Sequence, residues 1–142
     1  GRHTTGGGAG IQGSIQLSQF LLAAVTTDGS GVKLHSLVDG ATTRPPIIAN
    51  QSVMFTAEII ARRRGSTESA AYLITGAIKN DAGTTALVGT PTVTVVGEDD
   101  ANWGVSVAAN NTDDTLDITC TGAAAKTVHW VGTVRFTQTI IA

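Results

Sequence analysis

Val53-Met54-Phe55-Thr56-Ala57-Glu58-Ile59-Ile60-Ala61-Arg62 sets Val53, Phe55, Ala57, Ile59 and Ala61 at every second position, with Met54, Thr56, Glu58, Ile60 and Arg62 between them. Side chains of an extended strand alternate between two faces, whereas a helix would scatter the odd positions around its circumference. The stretch reads as a β-strand with one buried face. After the polar turn Arg64-Gly65-Ser66-Thr67-Glu68, the run Ala70 to Lys79 carries Tyr72, Ile74 and Ile78 on one side and Leu73 on the other, which predicts a hairpin. A helix over residues 66–77 competes, because Ser66 offers an N-terminal cap and Ala70-Ala71 favours helix. Ile74, Thr75, Gly76 and Ile78 are poor helix formers and decide for strand.

The same punctuation continues outward. Asn80-Asp81-Ala82-Gly83 is a turn, followed by a strand from Thr84 to Val88 and another from Thr92 to Val96. Pro91 is expected at a strand start or a sheet edge, where its missing N–H does least harm. Gly97 to Asp100 turns the chain into the alternation Trp103, Val105, Val107, Ala109. A turn at Asn110 to Asp114, a strand from Thr115 to Thr121 and a turn from Gly122 to Lys126 follow. The last strand carries Val128, Trp130, Val134 and Phe136 on one face and Val131 on the other, with Thr137 to Ala142 as an extension. Short strands at regular spacing predict an all-β, antiparallel β-sandwich or jelly-roll-like domain with little helix. The predicted core is Phe55, Ile59, Tyr72, Ile74, Trp103, Val105, Ile118, Trp130 and Val134. Cys120, alternating with Leu116 and Ile118, joins it as a small hydrophobe.

At the other end, Gly6 to Gly13 (GGGAGIQG) has too little side-chain mass to pack. Residues 1–14 are expected to be a Gly-rich arm or linker, and 15–142 a single β-sandwich domain, within the usual size of one domain. The missing initiator Met suggests a piece of a longer chain. No apolar run approaches the roughly 20 residues that cross a bilayer as a helix, so no membrane insertion is expected.

Charged residues are 14% of the chain and hydrophobic ones 42%, against roughly 25% charged in an average soluble domain. A charge-poor β surface invites association unless it is covered, which predicts an oligomer. The net charge of −2 provides no basic field for nucleic acid or anionic lipid. Strands that are apolar on both faces, as at Ile59 with Ile60 and Trp130 with Val131, also ask for a second layer of cover.

Residues with chemistry are few. His3, His35 and His129 lack the spacing of metal ligands, one cysteine builds no zinc site, and no GxSxG, HExxH, Walker or GxGxxG motif is present. The expectation is therefore no enzyme, with no catalytic residue, cofactor or metal. Glu98-Asp99-Asp100 and Asp113-Asp114 have the oxygens to hold calcium, but carboxylates in turns more often serve the turn itself. Arg62-Arg63-Arg64 is the densest positive charge. With His129, these residues are the candidate glycan or subunit contact, since guanidinium forks match carboxylate, sulfate and phosphate. The competing reading of the arginines is a solvated strand end or an ion pair with Glu58 or Glu68. Trp103 and Trp130 sit in alternation with valines and are read as core rather than as sugar platforms.

The C-terminal half of the chain resembles a domain found in tail fibre and tail-associated proteins of tailed bacteriophages. The resemblance rests on Ala70-Ala71-Tyr72-Leu73-Ile74-Thr75-Gly76-Ala77-Ile78, Thr85-Ala86-Leu87-Val88-Gly89-Thr90-Pro91-Thr92-Val93-Thr94 and Trp103-Gly104-Val105-Ser106-Val107. Leu116-Asp117-Ile118-Thr119-Cys120-Thr121-Gly122 and Lys126-Thr127-Val128-His129-Trp130-Val131 complete it. It implies a β-rich virion component, homotrimeric, on the tail or capsid surface, in contact with other virion proteins and with a host surface glycan or lipopolysaccharide. It implies no catalytic residue. A tail fibre or spike domain for attachment, a capsid decoration (cement) protein and, further off, a glycan-degrading tailspike domain are the roles it leaves open.

Overall fold

The computed structural model describes residues 3–4, 15–36 and 43–140, so most of the Gly-rich arm expected over residues 1–14 lies outside the described residues. Among the described residues ten strands, β1 (His3–Thr4), β2 (Ile15–Thr26), β3 (Gly31–Lys33), β4 (His35–Ser36), β5 (Gln51–Arg63), β6 (Ser69–Asp81), β7 (Thr84–Glu98), β8 (Gly104–Asn110), β9 (Thr115–Thr121) and β10 (Val128–Ile140), form two antiparallel sheets. No helix occurs among the described residues. The larger sheet runs β1-β2-β10-β5-β6-β7, with β4 also on β2, and the smaller runs β3-β9-β8. The result is an all-β, sandwich-like fold of two unequal layers.

β5 shows the alternation that its sequence dictates, Val53, Phe55, Ala57, Ile59 and Ala61 buried and Met54, Ile60 and Arg62 exposed. It pairs with β6 from Arg62↔Ser69 to Gln51↔Asn80, so the hairpin forms and the competing helix over residues 66–77 does not. Tyr72, Ile74 and Ile78 fall together on the core face at period two, a grouping that a helix would have dispersed. The β6–β7 turn is the two-residue loop Ala82-Gly83, with φ of 51° and 99°, the positive pair that a type I′ hairpin requires. Asn80 ties it down by accepting from the Gly83 N–H at 2.8 Å and donating to the Ile47 carbonyl at 2.8 Å.

β7 departs from the sequence reading. The two segments expected on either side of Pro91 are one 15-residue strand, which also runs through Gly97 and Glu98 where a turn was expected. Thr75 pairs with Thr92 but Ala77 pairs with Val88, so residues 89–91 bulge opposite Gly76. Pro91 thus sits at a bulge on the last strand of the sheet, where a missing donor is tolerated. The bulge depends on Gly76. A Cβ there would lie 2.7 Å from Phe55 Cζ and 3.1 Å from Pro91 Cβ, and Phe55 is fully buried. Gly76→Ala is therefore expected to cost about 1–3 kcal/mol by overpacking, seen as a lower urea midpoint with unchanged slope.

The core lies between the layers. Trp130 on β10 faces Tyr72 (ring centroids 6.2 Å apart, 25° between planes) and Trp103 (6.1 Å, 59°), and its Nε1 donates to Thr26 Oγ1 at 3.0 Å. Phe55, Ile59, Tyr72, Ile74, Trp103, Ile118, Trp130 and Val134 are buried. Val105, expected among them, is only partly buried, because β8 is the edge of the small sheet. Cys120 is buried, and burial pushes its thiol up to about 12, which leaves it no thiolate to react with.

Candidate functional site

The hairpin that decides the fold also builds an open groove lined by charged and polar residues. Register puts His129, near the start of β10, directly across from Arg62, near the end of β5. Directly opposed residues have Cβ atoms roughly 5 Å apart. Ala61 and Trp130 point into the core, so Arg62 and His129 both point outward and are exposed. The chain then turns through Arg64 and Gly65, the latter at φ 71°, and the Arg64 N–H donates to the Thr127 carbonyl at 2.8 Å. That bond fastens the hairpin tip to the start of β10. An open groove of about 590 Å³ results, lined by Arg62, Arg63, Arg64, Gly65, Ser66, Thr67 and His129. The four residues singled out from the sequence are thereby brought together.

They are not equivalent. Arg63 gives a hydrogen bond to Glu68 Oε1 at 2.5 Å, and Lys126 binds Glu68 Oε2 at 2.8 Å and Asp100 Oδ2 at 2.7 Å. Lys126, followed by Arg63, holds the Glu68 carboxyl below its ordinary value, Lys126 does the same for Asp100, and Asp100 raises Lys126. This chain of two cations and two anions is neutral. Glu68, one of the two expected partners, is the one used. Arg62, Arg64 and His129 have no ion pair among the described residues, and no carboxylate lines the groove. Two guanidinium groups and an imidazole are left facing solvent together.

The carboxylates considered for calcium are engaged otherwise. Glu98 accepts from the Tyr72 hydroxyl at 2.7 Å, Asp99 from the Ser69 N–H at 2.8 Å, and Asp114 from the Thr85 hydroxyl at 2.7 Å. Burial, then Glu98, raises the Tyr72 pKa. Asp113 meets Arg44 Nη2 at 2.5 Å. No group of three or more His, Cys, Asp or Glu side chains suited to a metal occurs among the described residues.

A second polar cluster, outside the residues singled out from the sequence, lies on the outer side of the small sheet. Asp117 of β9, 4% exposed, accepts from Arg44 Nε at 2.7 Å, Thr115 Oγ1 at 2.8 Å and Asn110 Nδ2 at 2.9 Å, and pairs with Lys33 Nζ at 3.0 Å. Arg44 lies 73 residues away in the chain, so no local spacing announces the pair. With every oxygen of Asp117 occupied, the cluster locks strands rather than offering a reactive group.

A third feature is apolar. On the outer face of the large sheet, Ala23, Val131, Ile60 and Ala71 are successive partners across β2, β10, β5 and β6. Ile60 is 54% exposed and Val131 42%, and the trough they share with Leu73 and Val96 holds about 450 Å³. Leu21 and Met54 are exposed on this face as well, whereas Val93 and Val95, exposed too, pair with the buried Ile74 and Tyr72 and so lie on the other face. From Thr84 to Gly97, β7 carries no charged residue.

No family model matches the chain, and no curated protein matches it. Among solved structures, it is similar to a tailspike protein, gp49, from Acinetobacter baumannii bacteriophage Fri1, described as a capsular polysaccharide depolymerase, with a TM-score of 0.48 and 13% sequence identity. The match covers 90% of this chain and 20% of that one, so the chain spans about a fifth of its length.

Proposed function

We propose that this chain is a non-enzymatic structural module of a bacteriophage virion, a tail fibre or spike domain that assembles with two further copies of itself and contributes to host attachment. The observation that carries the reading is the apolar row Val131, Ile60 and Ala71 on the outer face, continued by the uncharged strand β7. Long uncharged outer strands invite edge and face association, and natural sheets blunt them with charge unless a partner covers them. Here two bulges, at residues 89–91 and at Val96, interrupt the strand, and no charge does so from Thr84 to Gly97. Further copies of the chain are the cover that closed symmetry supplies, and the resemblance of residues 70–131 to tail-fibre domains supports a trimer on a virion.

The non-catalytic part of the proposal has its own support. Among the described acids Glu68, Glu98, Asp99, Asp100, Asp113, Asp114 and Asp117 are each bound to a cation or a donor. Asp28 and Asp81, both exposed, take the Ser30 N–H and Lys79, and Glu58 faces outward beside Thr133 and Leu73 without a second carboxylate opposite. A glycosidase needs two carboxyls, one held as an acid and one as a base or nucleophile, across a cleft.

Electron cryomicroscopy of particles labelled with a gold-tagged antibody to this chain tests the placement. Label on the tail is expected, and label spread over the head would overturn attachment in favour of capsid decoration. Incubation of the purified protein with host polysaccharide is expected to leave the chain length of the sugar unchanged. Shortened chains would overturn the non-catalytic reading.

A further inference from the structure

We infer that the groove at the β5–β6 hairpin is a binding site for an acidic saccharide, with Arg62 and Arg64 as the ligands of its carboxylate or ester anion and His129 as a third polar contact. The inference deepens the attachment reading and rests on it for its biological use.

Four observations carry it. Arg62 and Arg64 point into one groove without an anionic partner among the described residues, although the chain as a whole has a net charge of −2. Three of the nine basic residues of the sequence are gathered at this one turn. Cations left unpaired on an acidic protein are not needed for its solubility, and their mutual repulsion is relieved when an anion enters. Second, Arg63, the neighbour that could compete for the same anion, is already neutralised by Glu68, so it braces the turn while the other two stay free.

Third, the groove is pre-formed. Arg62 is fixed by the ladder to His129 on one side and Ser69 on the other, and the Arg64 backbone is held by Thr127. The backbone that carries the two guanidinium groups is thus set, and binding orders only their side chains, whose forks match a planar carboxylate or a tetrahedral ester. Fourth, the lining contains no Trp, Tyr or Phe, while the Ser66 and Thr67 side chains add hydroxyl groups beside the cations. A neutral sugar would have no aromatic face to stack on, whereas an acidic sugar meets charge for its anion and hydroxyls for its ring. A volume of about 590 Å³ is within the range of small-ligand sites, about 300–1,000 Å³. Nucleic acid is the poorer fit, because it needs a basic track along many phosphates and this patch is isolated.

Isothermal titration of the full chain with four probes tests this. They are an oligogalacturonate, the same oligosaccharide with its carboxyls reduced to alcohols, a sulfated heparin oligosaccharide and a single-stranded oligonucleotide. Binding of the oligogalacturonate or the heparin fragment is expected, with no binding of the reduced sugar. Preference between the first two tells carboxylate from sulfate. Arg62→Ala with Arg64→Ala is expected to weaken binding at least about tenfold, because charge-assisted bonds to both are lost. Arg62→Lys with Arg64→Lys restores part of the affinity, and Arg135→Ala, exposed farther along β10, leaves it unchanged. Equal binding of the reduced sugar, tighter binding of the oligonucleotide, silence toward both acidic sugars, or affinity unmoved by the double alanine would each overturn the inference. A chain that trimerises but binds no anion defeats the groove alone, whereas one that binds the acidic sugar as a monomer defeats the assembly alone.

Discussion

Trp130→Ala will remove about 3–5 kcal/mol of folding stability, a large part of the roughly 5–15 kcal/mol of an ordinary domain. Trp130 is fully buried in β10, between β2 and β5, and its ring touches the two other large aromatics of that region, Tyr72 and Trp103. Truncation leaves a cavity that the flanking strands cannot close, because both are held by complete ladders over twelve or more residues. It also orphans the Thr26 hydroxyl, 1% exposed, to which Trp130 Nε1 donates. The comparison with Trp103 isolates that bond. Trp103 Nε1 is buried with no partner among the described residues, so Trp103→Phe removes a donor that was never satisfied. Trp130→Phe removes one that was, and it is expected to cost more, by about 1 kcal/mol. Denaturation midpoints of the three variants check both statements, and a Trp103→Phe change at least as damaging as Trp130→Phe would contradict the role given to the bond.

The second large effect is expected at Asp117. Asp117→Ala leaves Arg44, whose side chain is 16% exposed, and the hydroxyl and amide of Thr115 and Asn110 without their common acceptor. Removing one partner of a buried ion pair costs roughly 3–5 kcal/mol, and the lower end applies here because Lys33 is about half exposed and Arg44 keeps Asp113. The same carboxylate sets an acid limit. Burial pushes its pKa up, but hydrogen bonds from Asn110, Thr115 and Lys33 and the charge of Arg44 outweigh burial and hold it below the ordinary value of 3.8. A group whose pKa is depressed on folding stabilises the folded state above its unfolded value, and that contribution fades as pH falls from there through the folded value. Stability of the native chain should therefore drop below about pH 3.8, and Asp117→Asn should flatten that limb when melting is followed against pH. An unchanged acid limb in the variant would place the titrating group elsewhere.

What could be read from the residues was what alternation governs. β5, β9 and β10 follow from period-two patterns, because each has one face on the core and the pattern is uninterrupted. β7 reads as two segments in the sequence because its continuity depends on a residue in another strand. Only the missing Cβ of Gly76 makes room for Phe55 and for the bulge that carries Pro91. The tryptophans were legible as core, while Val105 was not legible as marginal, since nothing in the Trp103 to Ala109 alternation tells an edge strand from a central one.

The site divides in the same way. Arg62, Arg63 and Arg64 stand out as a run, and His129 as the neighbour of a buried tryptophan, but their convergence is a matter of register between strands more than sixty residues apart. Which arginine is neutralised was half visible, since Glu68 had been one of two candidates. The contribution of Lys126 and Asp100 was not visible, because neither belongs to the hairpin. The Asp117 cluster left no trace in the sequence for the same reason.

The proposed assembly through the outer face of the large sheet carries the attachment reading, and sedimentation equilibrium at micromolar concentration decides it. The native protein should sediment as about three chains of 14.5 kDa, and Ile60→Glu or Val131→Glu, exposed positions that the isolated fold tolerates, should give single folded chains. A native protein that stays a single chain, or a trimer indifferent to both charges, would contradict it.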